Sequence, residues 1–510
     1  MNRRDFLTAT LLTPAVIAAA KRSDPEEAGI VDLQAAMAVG KESSFSLTKK
    51  YLRRIEQIDR GGPAINSVIE LNPDALDIAR QLDRERKDGH VRGPLHGVPI
   101  LLKDNIDTHD KMRTSAGSLA LAESIASKDS GVAKRLRAAG AVILGKTNLS
   151  EWANYRGDRS TSGWSGRGGL TRNPYALDRN PSGSSSGSAV AVAANLCAGA
   201  IGTETDGSII SPSMVCGIVG LKPTVGLISG AGIIPISHSQ DTAGPMTRTV
   251  RDTAILLGAL AEGEPGKAHA NYTHFLKPDG LRSARIGFAR RYLRGPLTTK
   301  LIENAVEIMK HAGAVIVEPF DDAPLGRAGS GEGDVLSYEF KAGINAYLKG
   351  LDPKVPVRTL AELIEFNEKH RDKELLYFGQ ETFIRAQSKG PLTDKAYLEA
   401  VEKCRKFARE EGIDGLMGKH RLDAIVAFSG GPAGKTDLLH GDRGVGGSST
   451  PAAVAGYPNI TVPAGDVFGL PVGISFFGRA WSEPTLLRLA YAFEQLTQAR
   501  KPPRFLASVV

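Results

Sequence analysis

Gly183-Ser184-Ser185-Ser186-Gly187 and, after a run of small apolar residues, Thr203-Glu204-Thr205-Asp206-Gly207-Ser208-Ile209 form the stretch on which the reading of this chain turns. The three serines sit in a glycine-flanked loop. A small-residue helix is expected over 188–194, and a strand near 198–203 leads on to Ser208. Gly207 makes the turn before Ser208 sharp and lets a reacting carbonyl approach the backbone closely. Successive N–H groups in such a turn form an anion-binding nest, the geometry of an oxyanion hole. Upstream, Gly97-Val98-Pro99-Ile100-Leu101-Leu102-Lys103-Asp104-Asn105 ends a short apolar strand with a lysine. At the end of a buried strand, desolvation lowers a lysine's pKa.

Outward from this stretch, strands and helices keep alternating. Leu47, Tyr51, Leu52, Ile55 and Ile58 recur at helical spacing within a helix predicted over 28–60. Ser130 caps a helix over 131–139, Gly140 ends it, and 141–144 is a strand. Residues 153–187 carry Gly, Ser, Asn and Arg without periodicity, and so long an irregular segment in a compact enzyme carries function. A helix begins near Arg251, 262–282 reads as a linker, and strands are expected at 285–288 and 314–317. Residues 336–420 read as mostly helical. Strands return at 424–427, 459–462 and 472–476, before a closing helix from Glu483. The pattern predicts one α/β domain over 21–510, with its core at about 60–260 and 424–495 and a helical insertion at about 336–420.

Composition narrows the function classes. Of 510 residues 41% are hydrophobic and 24% charged, which excludes disorder, collagen-like repeats and a disulfide scaffold. No internal run of 18 or more apolar residues suggests a polytopic membrane protein. The net charge of +8 is interleaved, as in Asp83-Arg84-Glu85-Arg86-Lys87-Asp88, which suits a solvated helix face and not a phosphate-tracking stripe. No nucleic-acid partner is therefore expected. Cys197, Cys216 and Cys404 lack C-x-x-C spacing and read as buried free thiols. Neither an H-E-x-x-H nor a Cys/His cluster is present, so no metal and no cofactor are expected.

At the N-terminus, Arg3-Arg4-Asp5-Phe6-Leu7, a mildly apolar run and Ala18-Ala19-Ala20 have the parts of an export signal over residues 1–20. The paired arginines resemble a twin-arginine signal, which implies a periplasmic or secreted bacterial protein with no membrane span once the signal is removed.

Three motif matches fail on context. Gly140-Ala-Val-Ile-Leu-Gly145-Lys146-Thr147 fits the P-loop pattern, but its strand lies between the two glycines where a loop is needed. Ser46-x-x-Lys49 fits the S-x-x-K of penicillin-binding enzymes but lies on the early amphipathic helix without partner motifs. Gly183-Ser-Ser-Ser-Gly187 fits the nucleophile elbow, which would make Ser185 the nucleophile with His238 or His440 as base. The Pro-containing segment 173–181 cannot supply the buried strand an elbow requires.

Together the lysine strand, the Gly/Ser-rich stretch 173–225, Asp241-Thr242-Ala243-Gly244-Pro245-Met246 and the tail Gly456-Tyr457-Pro458-Asn459-Ile460-Thr461-Val462-Pro463 resemble the amidase signature family over most of the chain. Leu149-Ser150-Glu151-Trp152-Ala153-Asn154-Tyr155-Arg156-Gly157 and Gly202-Thr203-Glu204-Thr205-Asp206-Gly207-Ser208 are most similar to the bacterial peptide amidases within it. The resemblance implies a large mixed β-sheet covered by helices on both faces. It implies Ser208 as nucleophile, Ser184 as a bridging serine after a cis bond to Gly183, and Lys103 as base. Ser185 is implied to hydrogen-bond the lysine, and the N–H groups of Thr205, Asp206, Gly207 and Ser208 to form the oxyanion hole. Trp164, Tyr377, Phe378 and Gln380 are implied to border the substrate. Asp206 stands where a glycine is common in the family, and Ile210 where an arginine is common.

The implied chemistry is hydrolysis of a carboxamide, the C-terminal amide of a peptide, to carboxylate and ammonia through an acyl-enzyme. A broader aryl or alkyl acylamidase and a glutamine-cleaving amidotransferase subunit share these motifs, and a catalytically dead binding protein could share the scaffold. Lys103 must be neutral to accept a proton. Its reference pKa lies roughly three units above neutrality, about 4 kcal/mol of differential interaction that burial has to supply.

Overall fold

In the strand Pro99–Lys103 the side chains alternate between two cores: Ile100 and Leu102 join one hydrophobic cluster and Leu101 the other. The neighbouring strand Val142–Thr147 divides the same way, with Ile143 on the first side and Val142 and Leu144 on the second. A strand buried on both faces needs apolar residues at consecutive positions, which is why these segments read as runs. By the same period of two, Lys103 faces the side of Leu101.

The computed structural model describes residues 26–262, 267–443 and 447–509. Residues 1–20, read above as an export signal, lie outside the described residues. Eleven strands form one mixed sheet. From one edge its order is Val68–Leu71, Val142–Thr147, Pro99–Lys103, Gly199–Glu204, Thr242–Thr247 and Val219–Lys222. It continues through Asn459–Val467, Leu470–Phe477, Ala424–Gly430, Arg285–Ala289 and Val315–Val317. Pro99–Lys103 runs parallel to both its neighbours, with Leu102 opposite Lys146 and Ile201, so a lysine tip emerges between two parallel strands.

Helices cover both faces. Ile30–Ala38, Gly131–Ala138, Val250–Leu260, Pro296–His311 and Glu483–Thr497 pack on the Ile100 side. Ala75–Lys87, Ser186–Ala193 and Ile210–Val215 pack on the Leu101 side. The helices Glu332–Lys349, Leu360–Lys369, Glu381–Gln387, Lys395–Cys404 and Asp414–His420 lie between the strands Val315–Val317 and Ala424–Gly430. Phe340, Leu348, Leu363 and Phe383 from this segment join Trp152, Ile234 and Ile236 in a core of their own. The segment is thereby fastened to the rim of the sheet. Among the described residues no helix is long and apolar enough to cross a membrane.

Four local expectations change. The helix predicted over 28–60 is two, Ile30–Ala38 and Ser44–Arg54, the second running on into a wider π-helical stretch, Ile55–Arg60. Gly40 at φ +69° and the Ser43 cap, whose hydroxyl accepts from Ser46 N, force the break. The strands Val68–Leu71, Val219–Lys222 and Thr242–Thr247 were not expected. In the last, Gly244-Pro245 reads as a breaker, yet a Cβ on Gly244 would lie 2.0 Å from Leu221 O, so this glycine admits the adjacent strand. The three cysteines are buried and free.

Candidate active site

Three segments meet at the ends of the parallel strands. Lys103 ends Pro99–Lys103 with no exposed surface. Its Nζ lies 2.8 Å from Ser184 Oγ, 2.9 Å from Thr203 Oγ1 and 3.3 Å from Thr203 O. Burial pushes its pKa down to about 7, against the pull of the Asp241 and Glu204 carboxylates, so the amine sheds its proton near neutrality. Among the described residues no carboxylate touches it, and each partner is a hydroxyl or a carbonyl.

Ser184 follows a cis bond from Gly183 and precedes the helix Ser186–Ala193. A Cβ on Gly183 would lie 2.2 Å from Ser150 Oγ, so the approach of that serine requires glycine. The helix is buried all round, which small residues permit.

The turn at 205–208 is held at each residue. Glu204 accepts from Ile209 N at 2.7 Å and Ile210 N at 2.9 Å. Thr205 Oγ1 donates to Asp241 at 2.6 Å, and Asp206 accepts from Thr450 Oγ1 at 2.7 Å. Gly207 has φ +79°, a conformation that favours glycine. Ser208 O accepts from Ser185 N at 3.1 Å, which ties the two serine loops together. Among the described residues the N–H groups of Asp206, Gly207 and Ser208 donate to no protein acceptor, so the turn offers a row of free donors.

Ser184 and Ser208 line one small cavity of about 10 Å³ together with Asn105, Ala153, Thr203, Thr205, Asp241 and Thr242. Ile233, Ile234 and Ile236 complete its wall. No hydrogen bond joins Ser208 Oγ to Ser184 Oγ among the described residues; in unliganded sites such contacts commonly tighten only with substrate. Two larger cavities, of about 230 and 550 Å³, meet at Asn154, beside Ala153. Gly183 and Ser182 border the first, and Asp158 and Arg385 the second.

Ser185 does not hydrogen-bond Lys103. Its Oγ donates to Thr203 O at 3.0 Å and accepts from Thr203 N at 3.2 Å, and the Thr203 hydroxyl takes the expected place beside the lysine. The rejected elbow fails here too: Ser185 is locked onto the strand, and His238 and His440 are largely exposed. Trp164, Tyr377, Phe378 and Gln380 do not line the cavity of the two serines. Trp164 and Phe378 flank the buried Arg156 guanidinium at 5.3 and 4.1 Å, and Tyr377 packs edge-on against Trp164. Gln380 is used up on Asn367, Ile364 O and Glu368. Arg156, paired with Glu151 and Glu374, thus organises this aromatic cluster as a support behind the 151–157 loop. Sequence reasoning passed over Thr203, Asn105 and Asp241, although each lies within a quoted motif. Among the described residues no group of three or more His, Cys, Asp or Glu side chains could hold a metal ion.

Comparison with known proteins shows the family. The family model "Amidase" matches residues 46–487. A crystal structure of a peptide amidase in complex with the competitive inhibitor chymostatin is 52% identical, with a TM-score of 0.91 over 94% of this chain and 99% of that one. The native peptide amidase from Stenotrophomonas maltophilia is 51% identical, with a TM-score of 0.89 over 95% of this chain and 100% of that one. A probable amidase of Arabidopsis thaliana is 42% identical over 94% of this chain and 92% of its own length. The chain belongs to the amidase signature family and is an amidase, a hydrolase acting on amides.

Proposed function

We propose that this amidase cleaves the C-terminal carboxamide of peptides, releasing ammonia through an acyl-enzyme on Ser208. The observation that carries the reading is the 2.8 Å contact between the fully buried Lys103 amine and Ser184 Oγ, in a cavity shared with Ser208. A neutral amine has two hydrogens and one lone pair. Thr203 O and Thr203 Oγ1 take the hydrogens, which leaves the lone pair for the Ser184 hydroxyl proton.

Ser208 Oγ attacks the amide carbon while its proton passes to Ser184 Oγ and the Ser184 proton to Lys103. The oxyanion is held by the N–H groups of the 205–208 turn. The relay then runs backward, protonating the departing nitrogen, and water repeats the cycle to free the carboxylate. The two larger cavities at Asn154 have room for the peptide on the acyl side. We further propose that residues 1–20 export the folded enzyme; replacing Arg3 and Arg4 with lysine should leave it in the cytoplasmic fraction.

The test is ammonia release from a blocked dipeptide amide by the wild-type protein and Ser208→Ala side by side. Ammonia from the wild type alone supports both substrate and nucleophile. Turnover of anilides but not of the peptide amide would replace the substrate reading, and undiminished turnover by Ser208→Ala would remove the nucleophile.

A further inference from the structure

We propose that Asn105 recognises the leaving group: its Oδ1 accepts an N–H of the scissile carboxamide and makes the enzyme selective for primary amides over esters. This deepens the reading above and rests on Ser208 attacking within the shared cavity.

The argument starts from an atom with nothing to bond. Asn105 is only 3% exposed, and its Oδ1 is buried with no hydrogen-bond partner among the described residues. Its Nδ2 donates to Thr203 Oγ1 at 3.0 Å, which holds the amide and leaves the oxygen without that partner. Asn105 lines the small cavity that holds Ser184 and Ser208. A buried carbonyl oxygen without a donor is costly, and a cavity-lining acceptor of this kind is satisfied when a ligand supplies the donor.

The chemistry of the cavity selects that donor. The carbonyl oxygen of a bound amide lies at the 205–208 turn, so its nitrogen lies on the opposite side, where Ser184 delivers the proton. Asn105 stands at that end, one hydroxyl away from the lysine: Asn105 Nδ2 and Lys103 Nζ converge on the same Thr203 Oγ1. The other strong acceptors there are already occupied. Thr203 O receives Lys103 and Ser185, one Asp241 oxygen receives Thr205, and the other receives Ile236 N and Ser237 N. Ala153, Ile233, Ile234 and Ile236 offer only carbon from their side chains. An –NH₂ group therefore meets Asn105 Oδ1, whereas an ester presents a lone pair to a lone pair.

The experiment compares kcat/KM for a blocked dipeptide amide and for the methyl ester of the same dipeptide, in wild type, Asn105→Ala and Asn105→Ser. Each ratio is taken on one preparation, so the folded fraction cancels. The proposal expects the amide rate to fall about 10- to 100-fold in Asn105→Ala while the ester rate changes less than about threefold. Asn105→Ser, which keeps a shorter polar group, should show the same sign. An equal loss on both substrates, including loss of all turnover, overturns the proposal, because Asn105 would then act only through Thr203 and Lys103. An unchanged ratio overturns it too. Failure of the underlying reading looks different: Ser208→Ala would retain hydrolysis whatever the ratio in the Asn105 variants.

Discussion

Two lysines lie near one another at the ends of paired parallel strands, in different surroundings. Leu102, the neighbour of Lys103, stands opposite Lys146 in the register, and neither lysine has any exposed surface. Burial lowers the pKa of both. Lys146 is drawn back toward the charged form by Asp104, Asp107, Asp110 and Glu70, and its Nζ donates to Ile106 O at 2.7 Å and Thr114 Oγ1 at 2.9 Å. Lys103 feels two carboxylates, Asp241 and Glu204, and has a serine hydroxyl at its tip. Burial alone therefore does not make a base. What sets Lys103 apart is that its tip meets Ser184 in a cavity shared with Ser208, whereas Lys146 ends on a carbonyl and a threonine hydroxyl outside that cavity.

The contrast predicts separate consequences for the two side chains. Lys103→Met should keep the fold, with an unchanged circular dichroism spectrum, and lose about 10³-fold or more in kcat, measured as ammonia release. Lys146→Met should instead lose stability. It removes a buried cation that favours the charged forms of Asp104 and Asp107 and the hydrogen bonds to Ile106 O and Thr114 Oγ1, seen as a lower denaturation midpoint in urea. A Lys146→Met protein that melts like wild type but has lost its activity would break the comparison.

Two smaller effects sharpen it. In the proposed relay Lys103 accepts a proton as the neutral amine, and burial pushes its pKa down to about 7. Protonation below that value removes the base, so kcat/KM should fall toward tenfold per pH unit on the acid side and level off above it. A flat profile from pH 8 to 5 would exclude this amine as the titrating group. Thr203→Val should lower kcat about tenfold, because the lysine hydrogens lose an acceptor and the lone pair is no longer aimed at Ser184. It should also move the acid limb to lower pH, since the ammonium form loses a hydrogen-bond acceptor. The acid limb staying in place would show that Thr203 only packs.

Much of the fold was legible because its central strands are buried on both faces and read as short apolar runs bounded by glycine and proline. Thr242–Thr247 escaped because Gly244 and Pro245 imitate a turn. The break after Ala38 was missed because the helical spacing of Leu47, Tyr51, Leu52, Ile55 and Ile58 was extended back over it, past Gly40.

The candidate side chains could be picked out from features with local causes: a lysine ending a buried strand, a serine after a glycine turn, and serines leading into a small-residue helix. Each is set by backbone geometry within a few residues. Only the tertiary structure decided what those groups touch. Thr203 stands beside the lysine where Ser185 was expected, and Asn105, with an unbonded side-chain oxygen, lines the cavity. Trp164 and Phe378 close on Arg156 and not on a substrate. These contacts join segments separated by about a hundred residues or more in most cases, and no local period records the packing that brings such segments together.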